Sequence, residues 1–122
     1  MTYAFDTSAF SPLFRNFYRS RFTSLWGRYD DLVNEGHIVS TREVFREIED
    51  SSIQSLRDWA AANKHVFTTP TADEGAFVTQ IYSVPHFQQN IELQKILKGG
   101  KNADPFIIAK AAISEMTVVT ME

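Results

Sequence analysis

The sequence predicts an α/β protein with three layers, α/β/α, in which helices cover both faces of a central parallel sheet of about four strands. Short apolar segments typical of buried strands occur four times in the 122 residues, at 3–6, 37–40, 65–70 and 117–121. The segments between them carry apolar residues at spacings of three and four, which indicates helices. Strands that alternate with helices favour parallel βαβ units.

Local signals predict the helices of the first half. Ser11 and Pro12 indicate a helix start after the first strand, because serine caps helices and proline suits their first turn. A second helix is predicted from about Ser20 to Glu35, where apolar residues recur on one face. Ser40 and Glu43 have the spacing of a capping box, so we expect Ser40 to cap the helix that follows the second strand.

The second half repeats these signals. An amphipathic helix should run to about Asn63, and the third strand follows it. Thr71 and Glu74 form another capping-box pattern at the start of a helix. A further helix is predicted over 84–100, closed by glycines, and the last helix, starting near Asp104, leads into the final strand.

Composition excludes several classes of protein. Hydrophobic residues make up 43% of the chain, which excludes a disordered protein, and the absence of cysteine excludes disulfides, thiolate metal sites and cysteine catalysis. No apolar run approaches the roughly 20 residues of a membrane span, and the N-terminus lacks the pattern of a signal peptide. We therefore expect one domain over 1–122, soluble and cytoplasmic, with no membrane partner.

Four acidic residues are predicted to meet at one edge of the sheet. Asp6 ends the first strand, Glu122 follows the last, and Asp104 starts the helix between them, at the edge where open α/β sheets bind ligands. Glu47 lies at the border of the apolar stripe of its helix and can face inward. Such oxygen ligands suit Mg²⁺ or Mn²⁺, which support phosphodiester hydrolysis.

Each acid also has a plain structural interpretation. Asp6 can belong to a turn, Asp104 before a proline can cap a helix, Glu47 can be solvated and Glu122 can be a frayed end. The hydroxyls that accompany the acids can support the site or form turns; they are Thr7, Ser8 and Thr120. The basic residues that could hold RNA phosphates, or simply be solvated, are Arg15, Arg19, Arg21, Arg28, Lys95, Lys98 and Lys101.

Four segments in chain order resemble the acidic motifs of the PIN-domain ribonucleases, which include the VapC-like toxins of type II toxin–antitoxin modules: YAFDTSAF, VSTREVFREIE, NADPFIIAKAA and VVTME. The resemblance implies a Mg²⁺- or Mn²⁺-dependent endoribonuclease with a cognate antitoxin. Asp6, Glu47 and Asp104 would be its metal ligands, and Glu122 its fourth catalytic acid. The second acid can be Glu43 or Glu47, and Glu47 is preferred because the capping box explains Glu43.

The resemblance also has departures. The family usually places an aspartate after the last strand, where this chain has Glu122, and PIN domains normally continue into a fifth strand. The sequence therefore predicts a PIN-like domain without its usual last strand, with an exposed sheet edge that favours a homodimer or another partner. The alternative function is a PIN-like module without catalysis that binds protein or RNA.

Overall fold

The computed structural model describes residues 1–85 and 103–121, and it confirms the three-layer α/β/α fold. The elements, in chain order, are β1 (Tyr3–Phe5), α1 (Thr7–Asn16), α2 (Thr23–Asn34), β2 (Ile38–Thr41), α3 (Arg42–Glu49), α4 (Gln54–Ala62), a 3₁₀ turn (Lys64–Val66), β3 (Phe67–Thr68), α5 (Ala72–Tyr82), α6 (Asp104–Ser114) and β4 (Thr117–Val119).

All four strands of the sheet are parallel, in the spatial order β3-β2-β1-β4. The chain moves from β1 outward to β2 and β3, and then returns past β1 to form β4. The strand order therefore reverses between β1 and β4. In open α/β sheets ligands bind beyond the carboxyl ends of the strands at this kind of position.

The register of the sheet aligns one residue from each strand end. Ala4 lies opposite Val39 on β2 and Val118 on β4. Thr41 lies opposite Thr68 on β3. Extending the pairs of Ala4 by two residues along each strand places Asp6 between Thr120 and Thr41 at the carboxyl edge of the sheet. Together with Thr68 these residues form a row that we call the carboxyl-edge row: Thr120, Asp6, Thr41 and Thr68. Laterally aligned residues of a parallel sheet point to the same face.

The two faces of the sheet have different coverings. On one face, Phe5 packs on Phe10 of α1 at a centroid distance of 5.1 Å, and Phe10 packs on Phe67 of β3 at 5.8 Å. Trp59 of α4 continues this aromatic layer, 5.5 Å from Phe10. Helices α5 and α6 pack against each other, and α6 lies on β1, β2 and β4. The fully buried Ala4 belongs to the same hydrophobic core.

The first helix begins earlier than Ser11 and Pro12 predict. It starts at Thr7, and Pro12 lies inside it. The carbonyl of Asp6 accepts the first helical hydrogen bonds, from the amides of Ala9 at 3.0 Å and Phe10 at 3.3 Å. The turn-forming residues after β1 thus start the helix directly. The second helix begins at Thr23, three residues after the predicted start.

The capping box predicted at Ser40 is wrong. Thr41 is the N-cap of α3, and its hydroxyl accepts from the amide of Val44 at 3.4 Å. Ser40 is still part of β2, where its hydroxyl donates to the carbonyl of Phe5 at 2.7 Å. The strand therefore extends one residue further than predicted. Glu43 is bound by its arginine neighbours instead of reaching back to the cap.

The second capping box is confirmed. The Thr71 hydroxyl accepts from the amide of Glu74 at 3.2 Å, and the Glu74 carboxylate accepts from the amide of Thr71 at 2.6 Å. Most of the helix predicted over 84–100 lies outside the described residues, as do Glu122, Lys95, Lys98 and Lys101. In the portion that is described, no helix has the length and apolar character needed to cross a membrane.

Candidate metal site at the carboxyl edge of the sheet

A small pocket of about 120 Å³ opens where β1 and β4 end, at the reversal of strand order. Two of the predicted acids line it, Asp6 from the end of β1 and Asp104 from the start of α6. The remaining lining residues are Ile107, Ile108, Val118 and Thr120. The pocket thus combines two carboxylates with mainly apolar walls.

Asp6 is only 2% exposed, and its two carboxylate oxygens have different surroundings. Oδ2 accepts hydrogen bonds from the hydroxyls of Ser8 at 3.0 Å and Thr120 at 3.4 Å. Oδ1 is fully buried and has no hydrogen-bond partner among the residues that the structure describes. Leaving a buried carboxylate oxygen without a hydrogen-bond partner is energetically costly.

The hydroxyl of Ser8 connects the two strand ends at the pocket. It donates to Asp6 Oδ2 and shares a 2.9 Å hydrogen bond with the hydroxyl of Thr120. It also accepts from the backbone amide of Met121 at 3.0 Å. The amide of Asp6 in turn donates to the carbonyl of Val119 at 3.1 Å. The segment after β4 is therefore fixed beside Asp6.

Glu47 is linked to the residues that flank both pocket acids. Its Oε1 accepts from the hydroxyl of Thr7, the residue after Asp6, at 2.6 Å. Its Oε2 accepts from the amide of Ala103, the residue before Asp104, at 3.3 Å. The second turn of α3 thus brings Glu47 between the start of α1 and the start of α6.

The structure gives Glu43 and Glu47 different surroundings. Glu43 pairs with the guanidinium groups of Arg42 at 3.0 Å and Arg46 at 3.4 Å, whereas Glu47 accepts from Thr7 and Ala103.

At the start of α6, Ala103 occupies the N-cap position and Asp104 is the first helical residue. A carboxylate in the first turn of a helix is favoured by the helix dipole, whose positive end faces the pocket edge.

As they stand in residues 1–85 and 103–121, no three acidic or histidine side chains are grouped closely enough to hold a metal ion. Asp6 and Asp104 share the pocket, and Glu47 is one hydrogen bond from the chain on either side of them. Glu122 lies outside the described residues. The structure therefore brings Asp6 and Asp104 to one pocket, whereas Glu47 bonds to the residues beside them and does not line it.

Sequence reasoning missed Lys110. Its side chain is 7% exposed, and Nζ donates to the hydroxyl of Thr68 at 2.6 Å. The signal was present, because Lys110 is a single charge in the otherwise apolar stretch FIIAKAAI of α6. A lysine in such a stretch is expected on the solvated side, whereas here it reaches the carboxyl end of β3.

The fold and this pocket define a parallel α/β/α protein with a carboxylate-lined site where the strand order reverses. The chain belongs to the family described as domain of unknown function DUF4411, which it matches over residues 3–122. No curated protein and no solved structure matches the chain.

Proposed function

We propose that the chain is a PIN-like endoribonuclease that depends on Mg²⁺ or Mn²⁺ and hydrolyses RNA phosphodiester bonds. The observation that carries this proposal is Asp6 Oδ1, a buried carboxylate oxygen without a hydrogen-bond partner in the described part of the chain. It belongs to a residue that shares a pocket with Asp104, at the reversal of strand order. The motif resemblance supports the same activity.

The residues present fit a hard divalent cation. Asp6 and Asp104 would bind it in the pocket, with Glu47 and Glu122 as the further acids. A bound Mg²⁺ or Mn²⁺ supplies a Lewis acid that activates water and offsets the charge of the phosphodiester. Oxygen ligands without cysteine are consistent with these ions and not with a thiolate zinc site.

The surrounding hydroxyls hydrogen-bond to Asp6 and Glu47 and would orient these carboxylates for metal binding. Ser8 and Thr120 bind Oδ2 of Asp6, so Oδ1, which has no hydrogen-bond partner in the described part of the chain, is the oxygen that would bind a cation. The Thr7 hydroxyl fixes the orientation of Glu47. Such outer contacts, which orient metal ligands, commonly matter nearly as much as the ligands themselves.

As part of the same proposal, the protein acts in the cytoplasm as a toxin that a cognate antitoxin neutralises. An exposed apolar patch supports a protein partner. It lies where α1 meets α2, and its members, each at least 39% exposed, are Phe17, Tyr18, Phe22 and Leu25. The rings of Phe17 and Phe22 contact each other at a centroid distance of 5.2 Å, and grouped exposed apolar side chains are typical of interaction sites. Pairing of two copies of the chain is the alternative use of such surface.

Asp6→Asn tests the hydrolysis proposal directly. The amide keeps the shape of the side chain but removes its charge, so we expect cleavage of a labelled single-stranded RNA with Mn²⁺ to fall to background. The matched control is Asp31→Asn, on the exposed surface of α2. Unchanged cleavage by purified Asp6→Asn would falsify the assignment.

The second candidate function is a PIN-like binding module without catalysis. It is favoured by Glu47, whose two oxygens already bond to protein groups, so the carboxylate also serves the fold without a metal. Thermal unfolding at increasing Mn²⁺ separates the two functions. A ligand at 100 times its dissociation constant stabilises the native state by about 2.7 kcal/mol. If the unfolding temperature does not change at millimolar Mn²⁺, the result favours the binding module.

A further inference from the structure

A buried lysine, Lys110, contacts Thr68, the last residue of the carboxyl-edge row on the side away from the pocket of Asp6 and Asp104. Lys110 is 7% exposed, yet its hydrogen bond goes to a neutral hydroxyl, that of Thr68. Within the described ranges, no carboxylate lies within ion-pair distance of it. An ammonium group has three donors, and burying it without an anion is unfavourable. The position is suited to an anion.

The register of the sheet locates this lysine relative to the metal pocket. Asp6, Thr41 and Thr68 follow one another along the carboxyl-edge row. Since neighbouring strands lie about 4.8 Å apart, Thr68 is roughly 10 Å from Asp6. Every nucleotide of an RNA strand carries a phosphate, so a strand lying along the row brings a neighbouring phosphate toward Thr68 when another is at Asp6.

We propose that Lys110 binds a backbone phosphate of RNA next to the phosphodiester held at the carboxylate pocket. The Thr68 hydroxyl, which accepts from Nζ and donates to the carbonyl of Ser40 at 3.4 Å, holds the ammonium group in place. The proposal rests on the proposed function, because it assigns a substrate contact to the same site. Thr68 is exposed and forms the accessible side of the contact. The lysine is a substrate-binding residue that contacts a phosphate other than the one that reacts.

Lys110→Met tests the contact by binding instead of cleavage. The measurement is fluorescence anisotropy of a labelled single-stranded RNA at several salt concentrations, in an Asp6→Asn background that does not cleave. We expect roughly 10-fold weaker binding from the loss of one charged hydrogen bond. The plot of log affinity against log salt should lose about 0.7 of its slope, as for one phosphate contact on a single strand.

Lys64→Met is the matched control, because Lys64 is an exposed lysine at the opposite, amino-terminal end of β3. It makes the same change in net charge and should leave both affinity and slope nearly unchanged. Equal effects of the two variants, or parent-like binding by Lys110→Met, overturn the inference. So does a complete lack of RNA binding by the Asp6→Asn protein.

A second pair of variants covers the case in which Lys110→Met does not fold. Thr68→Glu places a carboxylate beside the ammonium group and neutralises it within the protein, while the exposed position tolerates the change. Thr69→Glu adds the same charge to the exposed neighbour. We expect Thr68→Glu to weaken RNA binding several-fold more than Thr69→Glu, and equal weakening overturns the inference.

These outcomes are distinct from failure of the hydrolysis proposal. If the unmodified protein does not cleave RNA but Lys110→Met still weakens binding, the phosphate contact stands and the hydrolysis proposal falls. If cleavage is lost only in Asp6→Asn and Lys110→Met binds RNA as its parent does, the reverse holds. Inorganic phosphate provides a separate arm: stabilisation of the parent but not of Lys110→Met, without RNA binding, identifies a free-phosphate site and overturns the RNA contact.

Discussion

The hydroxyl of Thr7 donates to Oε1 of Glu47 at 2.6 Å, and so joins the first residue of α1 to the second turn of α3 across 40 positions of sequence. The contact ties an acid of α3 to the residue directly after Asp6. Because Glu47 is also bound by the amide of Ala103, its carboxylate has a fixed position between the elements that carry the two pocket acids.

Thr7→Ala should therefore weaken metal binding without unfolding the protein. The change removes the hydrogen bond that orients Glu47, and loss of such an outer contact typically lowers metal affinity or activity 10- to 100-fold, taken here as about 10-fold. The measurement is a Mn²⁺ titration followed by thermal unfolding, together with Mn²⁺-dependent RNA cleavage. Thr7→Ser retains the hydroxyl and should behave like the parent. Equal Mn²⁺ affinity in Thr7→Ala and Thr7→Ser would contradict the role given to this hydroxyl.

Tyr29→Phe should stabilise the protein. Tyr29 is 5% exposed, and its phenolic oxygen has no hydrogen-bond partner among the described residues. Removing an unsatisfied buried hydroxyl is expected to raise the free energy of unfolding by about 1 kcal/mol. Urea denaturation near neutral pH measures this change. Tyr18→Phe, at a position 62% exposed, is the control and should have little effect. A destabilised Tyr29→Phe would show that the hydroxyl has a partner after all.

The same side chain should make the stability fall in alkaline solution. Burial, with a smaller contribution from Asp30 and against the opposing effect of Arg19, raises the pKa of Tyr29 far above its usual range. Below the unfolded-state pKa of about 10, both states keep the proton and no stability is lost. Above it, only the unfolded chain releases the proton, so unfolding becomes easier as the pH rises.

The alkaline prediction is checked by urea denaturation at about pH 9 and about pH 11 in both proteins. The parent should lose more stability over this interval than Tyr29→Phe, which has no phenol to ionise at this position. The other tyrosines are common to both proteins and cancel in the comparison. Equal losses in the two proteins would remove Tyr29 as the cause.

Thr71→Ala should destabilise the protein by about 1 kcal/mol, because it removes the N-cap of α5. Chemical denaturation measures the change. Thr69→Ala, two residues earlier in the exposed segment before α5, provides a control that keeps the cap. A cost that is no greater than that of Thr69→Ala would mean that the reciprocal bond with Glu74 does not stabilise the helix.

Regular patterns made the fold predictable, because strand and helix periodicities repeat over many residues. The sequence predicts that Asp6 lies near the end of the last strand if the first and last strands are neighbours, and the structure shows that β1 and β4 are paired. The ends of elements were less predictable. Ser40 and Thr41 are adjacent hydroxyl residues that both suit a cap, and only the length of β2 decides between them.

The finer parts of the site depend on contacts that no local pattern encodes. The bond from Thr7 to Glu47 and the bond from Lys110 to Thr68 join residues 40 and 42 positions apart. Each depends on how helices lie on the sheet and on the register of the strands. The sequence indicates only that Thr7 can support the site or form a turn, and the structure shows that its hydroxyl donates to Glu47.

The hydrogen bond between Thr120 and Asp6 joins residues 114 positions apart, so the pocket is complete only when the two ends of this long segment have come together. During synthesis the segments that form α1 to α4 leave the ribosome long before β4 can pair with β1. Closing a loop of this length costs chain entropy, so contacts between such distant residues form slowly. A growing chain therefore lacks the wall of the pocket that Val118 and Thr120 form, and the proposed hydrolysis would begin only after β4 has docked.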